Sequence, residues 1–328
     1  MTLLSIAAAV GLLILLIAAG RVPPFVAFII SSIAAALMLG LPLEQIPQSI
    51  ERGIGDMLGP LSIIICLGAM FGKLIADSGA AERISQSLIQ LFGQQRIALA
   101  MSLTGFIVGI PLFYNVGFVL MVPLIFSVVY RSKLPVLYVG IPMLAGLSIS
   151  HGFLPPHPSP AALVNQFGAD MGLTLIYGLL VGVPTLLIAG PIFALTLRKV
   201  VVTLPDLFKP PQMNEASLPS TFNSFACALL PVVLIAAATA LSYAQLAPNL
   251  LAIIRFIGNP MIGLLLSLAI GTYTLGAARG LPVRKLMLSY ADAVRDIAAI
   301  LLIIAGAGAL KQIFIDSGAN NDLGALLA

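Results

Sequence analysis

Apolar runs of about 17–25 residues recur from one end of this chain to the other, the length that carries an α-helix across ~30 Å of hydrocarbon. Candidate spans fall at about 2–20, 22–42, 57–76, 97–113, 114–130, 134–150, 171–196, 222–244, 257–278 and 298–315. Composition decides whether such runs belong to a soluble core or to a membrane. Hydrophobic residues make up 60% of the chain and charged residues 9%, with a mean hydropathy of +1.11. A soluble domain holds roughly 45–50% and ~25%. The alternating pattern of an outer-membrane barrel is absent. The chain therefore reads as an all-α integral membrane protein with polytopic transmembrane helices. The first run has no basic segment before it, so it reads as a retained span and not as a cleaved signal.

Charge and motif content narrow the function. The net charge of +4 is spread over short loops with no basic, aromatic-laced patch, which excludes a nucleic-acid reader. Cys66 and Cys227 sit inside apolar runs without ligand spacing and read as packed thiols. No GxGxxG, GxxxxGK[ST], GxSxG or HExxH is present, so ATP-driven transport is not expected. No cofactor and no metal are expected either.

Orientation follows from Lys and Arg in the short loops. Arg21, Arg96, Arg131 with Lys133, Arg198 with Lys199, and Arg279 with Arg284 and Lys285 are expected on the cytoplasmic side. The amino terminus is then outside, with Arg255 as an exception. Arg96 and Arg131 can both be inside only if the chain turns around between them. GIPLFYNVG at 109–117 is the place for that turn, and its two short arms suit a re-entrant or discontinuous pair of helices. Glu44, Glu51, Arg52 and Asp56 are expected on an interfacial helix. The polar, proline-containing stretch 201–221 reads as a cytoplasmic linker. It separates a first membrane repeat, 1–200, from a second, 222–328.

The two halves share a motif. LIADSGAAERI (74–84) and IFIDSGANNDL (313–323) contain an identical Asp-Ser-Gly-Ala, and each copy follows a glycine-rich apolar span. The charge rule runs the two copies in opposite directions. That is the mark of inverted-topology repeats, in which interrupted helices meet near the membrane midplane.

The segments GAMFGKLIADSGA, GIPLFYNVGFVLMVPLIF, HGFLPPHPSPAALVNQFGAD and KQIFIDSGA together resemble the gluconate permease (GntP-type) family of proton symporters. The resemblance covers about 1–328. It implies import of gluconate or a related sugar acid with protons across the bacterial inner membrane, and its wider superfamily suggests an elevator. The implied partners are a gluconate-like organic acid, protons, the lipid bilayer and at most a second copy as a homodimer. Many members carry an acidic residue where this chain has Asn115. Members also run on through a Gly-Ser-Ala-Thr and a Ser-His-Val-Asn-Asp segment that do not occur here. A C-terminally shortened, inactive permease is therefore one alternative expectation. An intramembrane enzyme using Ser148, His151 or Asp77 is the other.

Both histidines of the chain lie in HGFLPPHPSP, 151–160. Pro155, Pro156, Pro158 and Pro160 forbid a continuous helix there. Irregular backbone at membrane depth survives only when buried in protein or lining a wet cavity. Residues 148–165 are thus expected to line a polar cavity, with Ser148, Ser150, His151, Ser159 and Asn165 facing a polyhydroxylated substrate. The substrate carboxylate is expected at the N-terminus of the helix starting near Pro160. Tyr114 and Asn115, in the other break, are expected to bind hydroxyls. His151 and His157 can titrate near neutral pH. Asp77, His151 and Asp316 are the proton-coupling candidates, although Asp-Ser-Gly is also ordinary turn chemistry. Lys73 and Lys311 are expected to snorkel.

Overall fold

The computed structural model describes residues 2–112, 114–200, 202, 218–244 and 246–321, apart from the side chains of 115, 116, 119 and 120. The described residues are helical throughout, running from α1 (Thr2–Ala18) and α2 (Pro24–Met38) to α14 (Val283–Asp316). Six helices are long and apolar enough to cross a membrane, or seven if α4 (Ala80–Phe92) and α5 (Ile97–Gly109), bent by 112° at their junction, count as one span. The protein is an all-α polytopic membrane protein.

Several element boundaries differ from the sequence reading. The polar stretch around Glu51 and Asp56 is not a separate interfacial helix. It is the first half of α3, which runs unbroken from Gln45 to Asp77. Likewise α14 starts at Val283 and carries Asp292, Arg295 and Asp296 along its length. Hydropathy marks only the apolar part of a long helix, and α3 continues through Pro60 in its interior. Helix α4 had no place among the expected spans because it is amphipathic. Its Ala80, Ala81, Ile84, Ser85 and Leu88 are buried at helical spacing, whereas Glu82, Arg83 and Gln86 occupy other faces. Arg83 Nε donates to the Pro219 carbonyl (2.8 Å) and the Ser87 and Thr221 hydroxyls are 3.2 Å apart. Helix α4 is thereby tied to the end of the expected 201–221 linker, whose residues 201 and 203–217 lie outside the described ones. Arg255 sits on a helix of its own, α12 (Pro248–Ile257), ahead of α13 (Pro260–Gly271).

By contact, the chain forms two compact units, 1–63 with 295–328, and 64–294. The boundary falls inside α3 and inside α14. In the first unit, α1 and α2 pack together around Ala9, Ala35, Ala36, Leu41, Ile46, Leu310 and Ile313. There α3 and α14 approach so closely that a Cβ on Gly53 would overlap the Gly308 carbonyl, and one on Gly308 the Gly53 carbonyl. Small residues let backbones approach in this way in membranes.

The second unit holds the larger core, with Phe71, Leu74, Ile75, Met101, Leu112, Met121 and Met143 at its centre. Helix α5 lies along α7 (Val136–Phe153), which also packs on α6 (Tyr114–Ser132) and α9 (Met171–Leu187). Small residues set the α5–α7 distance. A Cβ on Gly105 would overlap the Met143 carbonyl, and one on Gly146 would overlap backbone atoms of Ser102 and Phe106.

The two Asp-Ser-Gly-Ala copies end α3 and α14 in the same way. The amide of Ser78 donates to Leu74 and that of Gly79 to Ala76; the amide of Ser317 donates to Ile313 and that of Gly318 to Ile315. Gly79 and Gly318 have φ of 78° and 76°, a left-handed corner that glycine enters without a Cβ clash.

Candidate functional site

Two helix breaks meet in the second unit. The first separates α5 from α6 at 110–113. The second separates α7 from α8 (Pro158–Phe167) at 154–157, where the prolines fall. Ile110, Leu112 and Leu154 at the breaks are buried (0–5% exposed) and His157 is 4% exposed, so the described residues of both irregular pieces are enclosed by protein, as unpaired backbone in a bilayer requires. Gly72 of α3 backs the first break, since a Cβ there would press on the Pro111 carbonyl and Leu112.

A pair of histidines joins the breaks. His157 Nε2 lies 2.9 Å from the Gly109 carbonyl, and His157 Nδ1 lies 3.2 Å from His151 Nδ1. The last carbonyls of a helix have no partner inside it; His157 serves the one on Gly109, at the end of α5. The imidazole rings are 4.7 Å apart, and the Tyr114 ring stands 6.3 Å from that of His151. A continuous helix would put residues 151 and 157 about 9 Å apart along its axis and roughly 240° around it. The break is what brings them together.

The other expected site residues are placed less centrally. Ser150 is fully buried beside Gly109, and its hydroxyl donates back to the Gly146 and Leu147 carbonyls (3.1 and 3.0 Å). Ser148, Ser159 and Asn165 are exposed. Asn115 lies in the first turn of α6, and its side chain is outside the described residues. Helix α8 begins at Pro158, and of its first three residues only Ser159 has an amide hydrogen. That makes it a poorer anion cradle than an ordinary helix start. What the sequence reading missed is the Gly109 carbonyl as an anchor. The spacing Gly105-xxx-Gly109, a small-residue packing signal, was the clue available.

The three proton-coupling candidates differ in surroundings. Asp77 receives a hydrogen bond from Ser289 Oγ (2.6 Å) and an ion pair from Lys73 (3.0 Å). Lys73 therefore pairs with its neighbouring aspartate. Arg279 donates to the Ser78 carbonyl (2.8 Å) in the same corner. Asp316 receives a hydrogen bond from Gln312 (2.8 Å) and lies 3.7 Å from Arg52. Both carboxylates are thus paired with cations, and His151 Nδ1 lies beside His157 Nδ1. A separate cavity of about 130 Å³ lies between α4 and α6, lined by Glu82, Ser85, Gln86, Gln94 and Arg131. The buried Ser85 hydroxyl there has no hydrogen-bond partner among the described residues. Its size suits about four waters.

The sequence profile of a family described as "GntP family permease" matches residues 1–328. Curated relatives are similar along the whole chain. The Gnt-II system L-idonate transporter of Escherichia coli (strain K12) is 40% identical over 100% of this chain and 75% of its own. The gluconate permease of Bacillus subtilis (strain 168) is 40% identical over 97% of this chain and 74% of its own. The high-affinity gluconate transporter of Escherichia coli (strain K12) is 40% identical over 100% and 75%. No solved structure matches.

Proposed function

Because the chain belongs to the GntP family of permeases, we propose that it is a secondary transporter that carries gluconate or a related sugar acid, together with protons, across the bacterial inner membrane. The observation that carries this reading is the meeting of two buried helix breaks at His157 and Gly109. Interrupted helices expose backbone polar groups where a substrate can use them, as in other alternating-access transporters. Tyr114, Asn115, Ser148, Ser150, His151, Ser159 and Asn165 are the proposed lining. Hydroxyl, amide and imidazole groups of this kind both donate to and accept from a polyol. The matched Asp-Ser-Gly-Ala corners support a division into repeats 1–200 and 222–328, of opposite orientation, joined by a cytoplasmic linker at 201–221.

Labelled gluconate uptake into membrane vesicles tests the proposal. Accumulation driven by an inward proton gradient, and abolished by a proton-conducting ionophore, is the expected result. Accumulation that ignores the ionophore contradicts proton coupling. Chemical conversion of the gluconate without accumulation would instead identify an intramembrane enzyme. The absence of both movement and conversion would contradict the transporter reading itself.

Asp77, His151 and Asp316 stand as the proposed coupling candidates. Asp77 and Lys73 are partly exposed (39% and 27%), and such pairs contribute about 0–1 kcal/mol. Asp77→Asn is therefore expected to lower melting in detergent only slightly and to leave the ratio of protons to gluconate unchanged. A lost or altered ratio, measured with a pH electrode during uptake, would return Asp77 to the coupling role.

A further inference from the structure

Resting on the sugar-acid reading just given, we propose that the cavity between α4 and α6 is a second binding site, which holds the hydroxylated chain of a sugar acid entering from the cytoplasmic side.

Two polar stripes face each other across this cavity. Helix α4 contributes Glu82, Ser85, Gln86 and Gln90, and α6 contributes Ser127 and Arg131. Spacings of three and four residues put each set on one side of its helix. Membrane helices ordinarily meet through small or apolar residues. Here the inner end of the cavity holds the Ser85 hydroxyl, fully buried and without a hydrogen-bond partner among the described residues. A buried hydroxyl left unpaired costs free energy that a bound hydroxyl recovers. The other end opens at Gln90, Gln94 and Arg131, which are exposed.

The lining suits a polyol. Amide and hydroxyl side chains both donate and accept, as the hydroxyls of a polyol do. Gln86 Nε2 donates to Glu82 (3.1 Å), which fixes the amide and leaves its carbonyl oxygen as an acceptor. One acidic and one basic side chain line the cavity, so it matches neither a bare metal ion nor a polyanion. Leu124 and Val128 give the C–H edges of the chain an apolar wall. A volume of about 130 Å³, the room of about four waters, takes part of a hydroxylated chain. The remainder, with its carboxylate, extends to the mouth. The Arg131 guanidinium there has five donors, more than one partner occupies, and a ligand carboxylate can share them.

This site is distinct from the helix breaks. Leu124 and Arg131 stand ten and seventeen residues beyond Tyr114 on α6, about 15 and 25 Å along its axis. Arg96 and Arg131 belong to the set expected on the cytoplasmic side, so the mouth opens toward substrate already delivered.

Equilibrium dialysis of the purified full chain against labelled gluconate tests the assignment. Wild type is expected to bind two gluconates per chain, one at the helix breaks and one in the cavity. Ser127→Leu, which fills the cavity, is expected to bind one. Ser85→Ala adds no bulk, so it keeps the test open if the leucine variant misfolds. It is expected to weaken one of the two sites about fivefold, the effect of one hydrogen bond. Sorbitol has the hydroxyls without the carboxylate and should displace the gluconate that Ser127→Leu loses. Hexanoate has the carboxylate without the hydroxyls and should not. Equal binding by wild type and both variants overturns the cavity site, as does displacement by hexanoate and not by sorbitol. A single gluconate per chain that Ser127→Leu abolishes upholds the cavity site and removes the helix breaks as the binding place. No binding by wild type overturns the cavity site, whereas vesicles that still accumulate gluconate would uphold the transporter reading beneath it.

Discussion

Leucine at Gly105 is expected to abolish uptake and to lower the yield of folded protein sharply. The hydrophobic effect cannot hold two helices together in lipid, where tails are as apolar as side chains. Close packing of small residues must do so. On α5, the space beside Gly105 is taken by the Met143 carbonyl of α7, and on α7 the space beside Gly146 is taken by Ser102 and Phe106 backbone. Backbone cannot swing aside as a flexible side chain does. Overpacking usually costs about 1–3 kcal/mol, and this site belongs at the top of that range or above it. The helices would also have to separate along the length that brings Gly109 to His157. Melting in detergent and labelled gluconate uptake would both register the change. Alanine at Gly11, where nothing lies within 4 Å, is the control and should be neutral or slightly stabilising. If Gly105→Leu transported normally, the α5–α7 contact would have no part in shaping the site.

Replacing Pro155, Pro156, Pro158 and Pro160 together by alanine is expected to lower uptake at least tenfold while the protein stays abundant in the membrane. Each proline disfavours helix interior by ~3 kcal/mol relative to alanine. Without the four, α7 and α8 are free to join as one continuous helix. His157 would then rotate to another face of the helix and move about 9 Å along its axis from His151. The Gly109 carbonyl would lose its partner, and the imidazole pair would not form. The variant thus separates insertion, which a longer helix does not hinder, from function, which needs the break. Normal uptake would mean that the 154–157 break is dispensable.

Much of the architecture is a local property of the chain. Span length and hydropathy placed most of the membrane helices, and clustered prolines at 155–160 marked a break that does occur at 154–157. A helix break does follow Gly109 at Pro111, while Tyr114 and Asn115, expected inside it, belong to the first turn of α6. Asp-Ser-Gly-Ala, seen twice, yields two helix ends with matching hydrogen bonds and left-handed glycines. Charged residues misled the reading at two helices. The first half of α3 and of α14 looked like surface because hydropathy averages over side chains, whereas helix continuity depends on the backbone. Helix α4 was overlooked for a related reason: only one of its faces is apolar. In the site, Tyr114 and His151 were legible and do lie together. Ser148, Ser159 and Asn165 were chosen for chemistry and nearness in sequence, and their exposure distinguishes them from the half-buried Tyr114 and His151.

Which polar group meets which depends on distances that no stretch of sequence contains. Forty-eight positions separate Gly109 from His157, and their contact depends on glycines on α3, α5 and α7 that let backbones approach. Residue types are sufficient to say that the chain must be helical in lipid and where it cannot stay helical. That His157 meets the Gly109 carbonyl and Asp316 meets Arg52 depends on which helices packing brings side by side. Hydrogen bonds and ion pairs act over a few ångströms, so they are specified only once packing has set those separations.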